Sequence, residues 1–183
     1  MNTASIRRVT LAFALLLGLA AYSHSEEVKS DPWLPTRFLL GQWLGTATGA
    51  AGQGGAGRQY EFVLNGQFIR ETSNIVYPPK DRSAPQEVHE HWGFMSYDRG
   101  RNRILLRQFY AEGFVYQFVL DPAHSTRKKL IFESERLESF RNKWRARLTY
   151  EVQGAGKFTE IFELAPPDTR LQVYSKIEFR KID

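Results

Sequence analysis

Cysteine is absent from the 183-residue chain. That excludes disulfide staples, iron–sulfur clusters, thiolate zinc sites, a thiol nucleophile and the lipidated cysteine of a lipobox. Histidine is scarce, with four residues, so imidazole chemistry has few places to sit. No G-x-S-x-G elbow occurs, and no glycine-rich phosphate loop precedes a helix, so no catalytic motif is present. Past residue 23 the chain lacks a run apolar enough to span a bilayer and lacks a helix-period surface segment, which argues against stable membrane insertion. The formal net charge is only +5, and the basic residues are interleaved with acids, as in Glu133-Ser-Glu-Arg136. No basic stripe exists to track a phosphate backbone, so nucleic acid is not an expected partner.

What remains is globular in composition, with 42% hydrophobic and 25% charged residues and an aromatic share of 14%. The first 23 residues read as a secretory signal peptide: Arg7 and Arg8, an apolar run from Val9 to Ala21, then Ala21-Tyr-Ser23 with small residues placed for cleavage before His24. That run is too short to cross roughly 30 Å of hydrocarbon. The expected organisation is a signal peptide at 1–23, a lead-in at 24–36 and one domain at 37–183. Export, to the periplasm or beyond the cell, follows from the leader.

The domain reads as strands. Period-2 runs occupy about 42–49, 57–64, 67–77, 88–98, 103–110, 114–120, 129–138, 144–152, 157–164 and 171–180. Short turns join most of them, including Asn65-Gly66, Arg99-Gly-Arg-Asn102, Ala111-Glu-Gly113 and Gly154-Ala-Gly156, and these suit antiparallel hairpins. The glycine-rich stretch at 49–57 reads as a flexible loop between two strands. Parallel strands would need long crossovers. Ten antiparallel strands joined in sequence favour a sheet closed on itself, since closure removes exposed edges. The predicted fold is therefore all-β, a single up-and-down antiparallel β-barrel of about ten strands.

Phe38-Leu-Leu-Gly41-Gln-Trp43-Leu-Gly45, at the start of the first strand, resembles the G-x-W signature of the calycin superfamily of lipocalins and fatty-acid-binding proteins. Leu64-Asn-Gly66-Gln-Phe68-Ile-Arg70-Glu71 and Gly93-Phe-Met-Ser-Tyr97-Asp98 resemble exported lipocalin-like bacterial proteins. The resemblance implies that Trp43 closes one end of the barrel, flanked by Gly41 and Gly45, and stacks with a basic residue of a late strand, here Arg180. The haem-binding barrels of the nitrobindin type share this plan, but their late iron-ligating histidine has no counterpart, because no histidine follows His124.

Hairpin register assigns faces. A two-residue turn at Asn65-Gly66 sets Glu61 opposite Arg70 on the outside and puts Tyr60, Phe62, Leu64, Ile69, Glu71, Ile75 and Tyr77 on the inside. The loop at 99–102 pairs Asp98 with Arg103, collecting His89, His91, Gly93, Met95, Tyr97, Ile104, Leu106, Gln108 and Tyr110 on the inner face. The turn at 111–113 adds Tyr116 and Phe118, and the last strands contribute Trp144, Ala146, Leu148, Tyr150, Val173, Ile177 and Phe179. Glu71 and Glu160 fall inside, where a carboxylate needs a partner; Arg136 is the expected one.

Two function classes follow. In the first, the interior binds a small apolar or amphipathic molecule without catalysis, using Glu71, His89, His91, Tyr97, Gln108, Tyr110, Tyr116, Arg136, Trp144 and Tyr150 to hold and orient it. In the second, His89 and His91, roughly 6.5–7 Å apart on one strand face, ligate a divalent metal or haem, with enzymatic activity as an option. The cupin pattern fails, because Met95 and Ser96 stand where its glutamate would be.

Overall fold

The computed structural model describes residues 31–182 apart from 51, 80, 82, 84, 141 and 142. The expected signal peptide and most of the lead-in lie outside the described residues. A short 3₁₀ turn, Arg37–Leu39, precedes ten strands: β1 (Gly41–Gly49), β2 (Gly52–Val63), β3 (Phe68–Tyr77), β4 (Glu87–Asp98), β5 (Arg103–Tyr110), β6 (Val115–Leu120), β7 (Lys129–Glu138), β8 (Arg145–Gly154), β9 (Lys157–Ala165) and β10 (Gln172–Lys181). Each strand pairs antiparallel with the next, and β1 pairs with β10, so the sheet closes into a ten-stranded up-and-down barrel. This is the fold the periodicity predicts. No helix among the described residues is long and apolar enough to cross a membrane.

The registers read from the turns hold: Glu61 faces Arg70, Asp98 faces Arg103, and Gln108 faces Tyr116. The interior is filled where the alternation put its apolar residues, with Tyr60, Ile69, Met95, Leu106, Phe118 and Tyr150 all fully buried, and Phe132 and Phe158 join them. Turns joining odd strands to even ones gather at one end of the barrel, and turns joining even to odd strands gather at the other.

That second end is closed. Trp43 is buried, its indole Nε1 donating to the Leu39 carbonyl at 2.6 Å, and its ring meets Phe158 edge-on at 4.6 Å. Trp33 and Leu39 complete the plug, with Phe38 packing on Phe158. Gly45 lies so close to the Phe179 ring that an added Cβ would sit 2.8 Å from it, which explains the small residue beside the tryptophan. The basic residue over Trp43 is Lys181, 5.7 Å from the ring centroid, and not Arg180. Trp43 is paired with Lys181 on one face, whereas Arg180 pairs with the outward-facing Leu44 and is exposed.

Four other expectations are corrected. The glycine-rich stretch is not a loop: β2 begins at Gly52, and the β1–β2 hairpin is tight. Gly54 serves close approach: a Cβ there would fall 2.6 Å from the Val76 carbonyl oxygen and 2.8 Å from the Tyr77 ring. Leu64 joins the turn with φ 50° and is 68% exposed instead of pointing inward. Register shifts in β7 and β10 reverse two more residues. The β6–β7 pairing skips from Arg136 to Ser134 opposite Gln117 and Phe118, so the extra residue turns Arg136 outward, 71% exposed and paired with Glu138. In β10 the shift at 173–175 leaves Val173 62% exposed.

Candidate functional site

An ionic cluster lies inside the barrel. Arg58 on β2, in phase with Tyr60 and Phe62, is buried and reaches two carboxylates: Glu71 on β3, 3.2 Å from its Nε, and Glu160 on β9, bound by Nη1. Glu71 also accepts from Tyr60 Oη at 3.3 Å, His91 Nε2 at 3.0 Å and Gln108 Nε2 at 3.1 Å. Ser73 Oγ takes further contacts from the guanidinium at 3.2 and 3.3 Å, and the Arg58 Cζ lies 4.8 Å from the Phe179 ring centre. Arg58, not Arg136, is thus the partner of the buried acids. The same alternation that puts Tyr60 inside also puts Arg58 inside, two residues earlier in the expected strand.

The strands explain the convergence. Tyr60 and Glu71 are directly paired across β2 and β3, Glu71 and Gly93 across β3 and β4, and Gly93 and Gln108 across β4 and β5. Gly93 leaves room for the carboxylate: a Cβ there would lie 2.5 Å from Glu71 Oε2. Burial alone would raise the Glu71 pKa, but Arg58 and then His91 outweigh it and hold the carboxyl at about 2. Ionised, Glu71 only accepts hydrogen bonds, so His91 Nε2 carries the proton between them. Burial likewise works against charge on Arg58, and Glu160 and Glu71 overcome it, raising its pKa further. Tyr150 is buried in the same interior, and its hydroxyl is one of two buried side-chain polar atoms without a partner among the described residues, the other being Arg70 Nε.

Above the cluster, towards the end opposite Trp43, a cavity of about 210 Å³ opens. Arg58, His91, Gln108 and Glu160 form its floor, Tyr110, Phe114, Tyr116 and Phe162 its wall, and Tyr77, Glu87, His89, Glu112 and Tyr174 its mouth. Tyr110 Oη donates to Gln108 Oε1 at 3.1 Å and its ring lies 4.7 Å from His91. At the mouth His89 is held by Glu112 through Nδ1, at 2.5 Å, and by Glu87 through Nε2, at 2.8 Å. Burial lowers the His89 pKa, but these two carboxylates outweigh it and the net shift is upward. Larger hollows, such as one of about 370 Å³ beside Gln42, Leu44, Gln59 and Trp92, lie on the outer wall and open to solvent.

Of the ten residues expected to bind a ligand, five line this cavity: His89, His91, Gln108, Tyr110 and Tyr116. Glu71 backs its floor, and Tyr150 is buried in the interior without lining it. Tyr97 faces inward but near the closed end, where it donates to Asn102. Trp144 packs edge-on against Phe140, 5.4 Å away, outside the lining. Arg136 is on the outside. Phase gives the face of a strand but not the depth along it, which is why Tyr97 was grouped with residues at the other end. Glu112 and Tyr174 lie in a turn and at a bulge, where alternation lapses; Phe162 is in phase with Glu160 in mid-strand, where alternation does point to it.

Both histidines of the expected metal or haem site are engaged by carboxylates. The ring nitrogens that the contacts engage are His89 Nδ1 and Nε2 and His91 Nε2, each on a carboxylate. Among the described residues no group of three or more His, Asp and Glu side chains is arranged to hold a metal ion. A cavity of about 210 Å³ is also below the roughly 300–1,000 Å³ of sites that enclose drug-sized ligands, smaller than a porphyrin needs.

No protein-family model and no curated protein sequence matches the chain. Among solved structures, the crystal structure of Rv2717c from M. tuberculosis aligns over 84% of this chain and 99% of its own, with a TM-score of 0.62 and 11% identity. The structure of EF1p2_mFAP2b bound to DFHBI aligns over 83% of this chain and all of its own at 11% identity, with a TM-score of 0.35. At such identities the first likeness is one of fold alone, and the second carries no weight. A closed ten-stranded barrel with a tryptophan plug fits a calycin-like plan.

Proposed function

We propose that the protein is an exported, non-catalytic binder of a small apolar or amphipathic molecule, held inside the barrel and acting in the periplasm. One observation carries the reading: a cavity of about 210 Å³ at the open end of a barrel whose other end is sealed, with aromatic walls above a fixed polar floor. Aromatic burial supplies roughly 25 cal/mol per Å² of apolar surface removed from water. Gln108, His91 and Tyr110 are locked by their own hydrogen bonds, so little ordering remains to be done when a ligand arrives. The floor is arranged for recognition and not for turnover, since four neighbours hold Glu71 ionised with its carboxyl pKa at about 2, which makes it a poor general base.

Native mass spectrometry and solvent extraction of the protein purified from its own host test this reading. The expected result is one small organic molecule bound in stoichiometric amount. A protein that carries nothing, and takes up nothing from an extract of that host, overturns it. Export is tested separately by fusing residues 1–30 to a reporter active only outside the cytoplasm; a silent reporter overturns that part.

A further inference from the structure

The same cavity discriminates by charge. Tyr110 and Tyr116 lie 4.9 Å apart between ring centres, Tyr116 stacks on Phe162 at 5.9 Å and 13°, and Phe162 meets Tyr174 edge-on at 6.0 Å. Tyr110, Tyr116, Phe162 and Tyr174 all line the cavity, and the face of an aromatic ring is the negative side of its quadrupole. Burial pushes the Tyr110 and Tyr116 phenols above their ordinary range, so both remain neutral donors at physiological pH.

The ionisable groups lining or backing the cavity are unevenly matched. Inside, one guanidinium, Arg58, serves two carboxylates, Glu71 and Glu160. At the mouth one imidazole, His89, serves two more, Glu87 and Glu112. Four carboxylates therefore face one guanidinium and at most two imidazoliums, and the excess is negative whichever state His91 takes. An anionic ligand meets a cation already doubly matched and four like charges. A neutral ligand gains burial alone. A cation gains the ring faces and the unbalanced acids together.

Resting on the reading of the barrel as a small-molecule binder, we infer that its ligand is a small organic cation, an alkylammonium or quaternary ammonium group. It sits against the Tyr110–Tyr116–Phe162 wall with its charge between Glu160 and the acids of the mouth. The volume sets the size: about 210 Å³ is some seven waters at roughly 30 Å³ each, enough for a molecule the size of choline.

Isothermal titration of the full chain, at low ionic strength, with three probes of matched shape tests the inference: choline, its neutral carbon isostere dimethylbutanol, and anionic dimethylbutanoate. Choline is expected to bind about tenfold more tightly than the alcohol, and the carboxylate not measurably. Glu112→Gln, at the half-exposed mouth where folding is not at stake, is expected to weaken choline about threefold and leave the alcohol unchanged. Alcohol binding as tight as choline, or a choline affinity that ignores Glu112→Gln, overturns the cation and leaves the small-molecule reading standing. If none of the three binds while a neutral or anionic molecule is extracted from the native protein, the cation again falls alone. If none binds and nothing is extracted, both fall.

Discussion

Replacing Glu71 by glutamine keeps the shape of the side chain and removes one charge from the centre of the barrel. Glu71 is fully buried and accepts from Arg58, Tyr60, His91 and Gln108; the amide can accept through one oxygen only and turns donors towards the guanidinium. Breaking a buried pair from one side costs about 3–5 kcal/mol, and the lower end applies because Glu160 still matches Arg58. Linkage gives the same size. A pKa of about 2 in the folded protein against an ordinary 4.5, at 1.36 kcal/mol per unit, is worth about 3 kcal/mol. Because the folded value is the depressed one, this contribution is complete above pH 4.5, declines as the pH falls below it and is gone near pH 2. Urea unfolding followed by tryptophan fluorescence, at several pH values from 7 to 2, measures it. Glu71→Gln should be about 3 kcal/mol less stable than the parent at pH 7, a melting point lower by roughly 6–12 °C. The gap should close towards pH 2, and taking the difference between the two proteins cancels the other carboxylates. A gap below 1 kcal/mol at pH 7, or one that stays constant across this range, refutes the reasoning.

Gly93→Ala, whose Cβ would lie 2.5 Å from Glu71 Oε2, should cost about 1–3 kcal/mol by overpacking; an unchanged thermal melt would show that the carboxylate moves aside freely. The His89 ring should titrate above the ordinary histidine range in a proton NMR pH series, because Glu112 and Glu87 outweigh its burial, and Glu112→Gln should bring it down. Trp43→Ala should cost about 3–5 kcal/mol by opening the closed end, whereas Lys181→Ala should lose about 1 kcal/mol. Equal effects of the two would mean that the tryptophan is not the plug.

How much the sequence reveals depends on where one looks along a strand. Between turns, a period of two is a strong constraint. Three short hairpins sufficed to place Glu71, His91, Gln108 and Tyr116 on the inner face, in the registers observed. At bulges the constraint inverts: one extra residue in β7 carried Arg136, the expected partner of the buried acids, to the outside. Composition misled in β2, where two of the glycines that read as flexibility meet neighbours within 3 Å of where a Cβ would be: Gly54 the Val76 carbonyl and the Tyr77 ring, and Gly57 the Asn74 amide. Arg58 lies within the expected strand and in phase with Tyr60, but a charged side chain reads as outward on composition, and with it went the cation at the centre of the site. The end at which a residue lies is set by pairing across the barrel, which no single strand encodes, so Tyr97 and His91 read alike although they lie at different depths.

The seam between β1 and β10 governs when the molecule becomes itself. Trp43 pairs with Lys181 and Gly45 with Phe179, contacts separated by nearly the whole domain in sequence. Every other pairing joins consecutive strands and can form locally as the chain lengthens. Until the last strand arrives, the sheet is an open ribbon with two unpaired edges, its interior wet and its cluster of charges unsheltered. Closure is a long-range event with a large loop entropy, and such topologies fold slowly. Loss of the final ten residues should therefore remove more than one strand's worth of stability, because it reopens the ring on both sides of the gap.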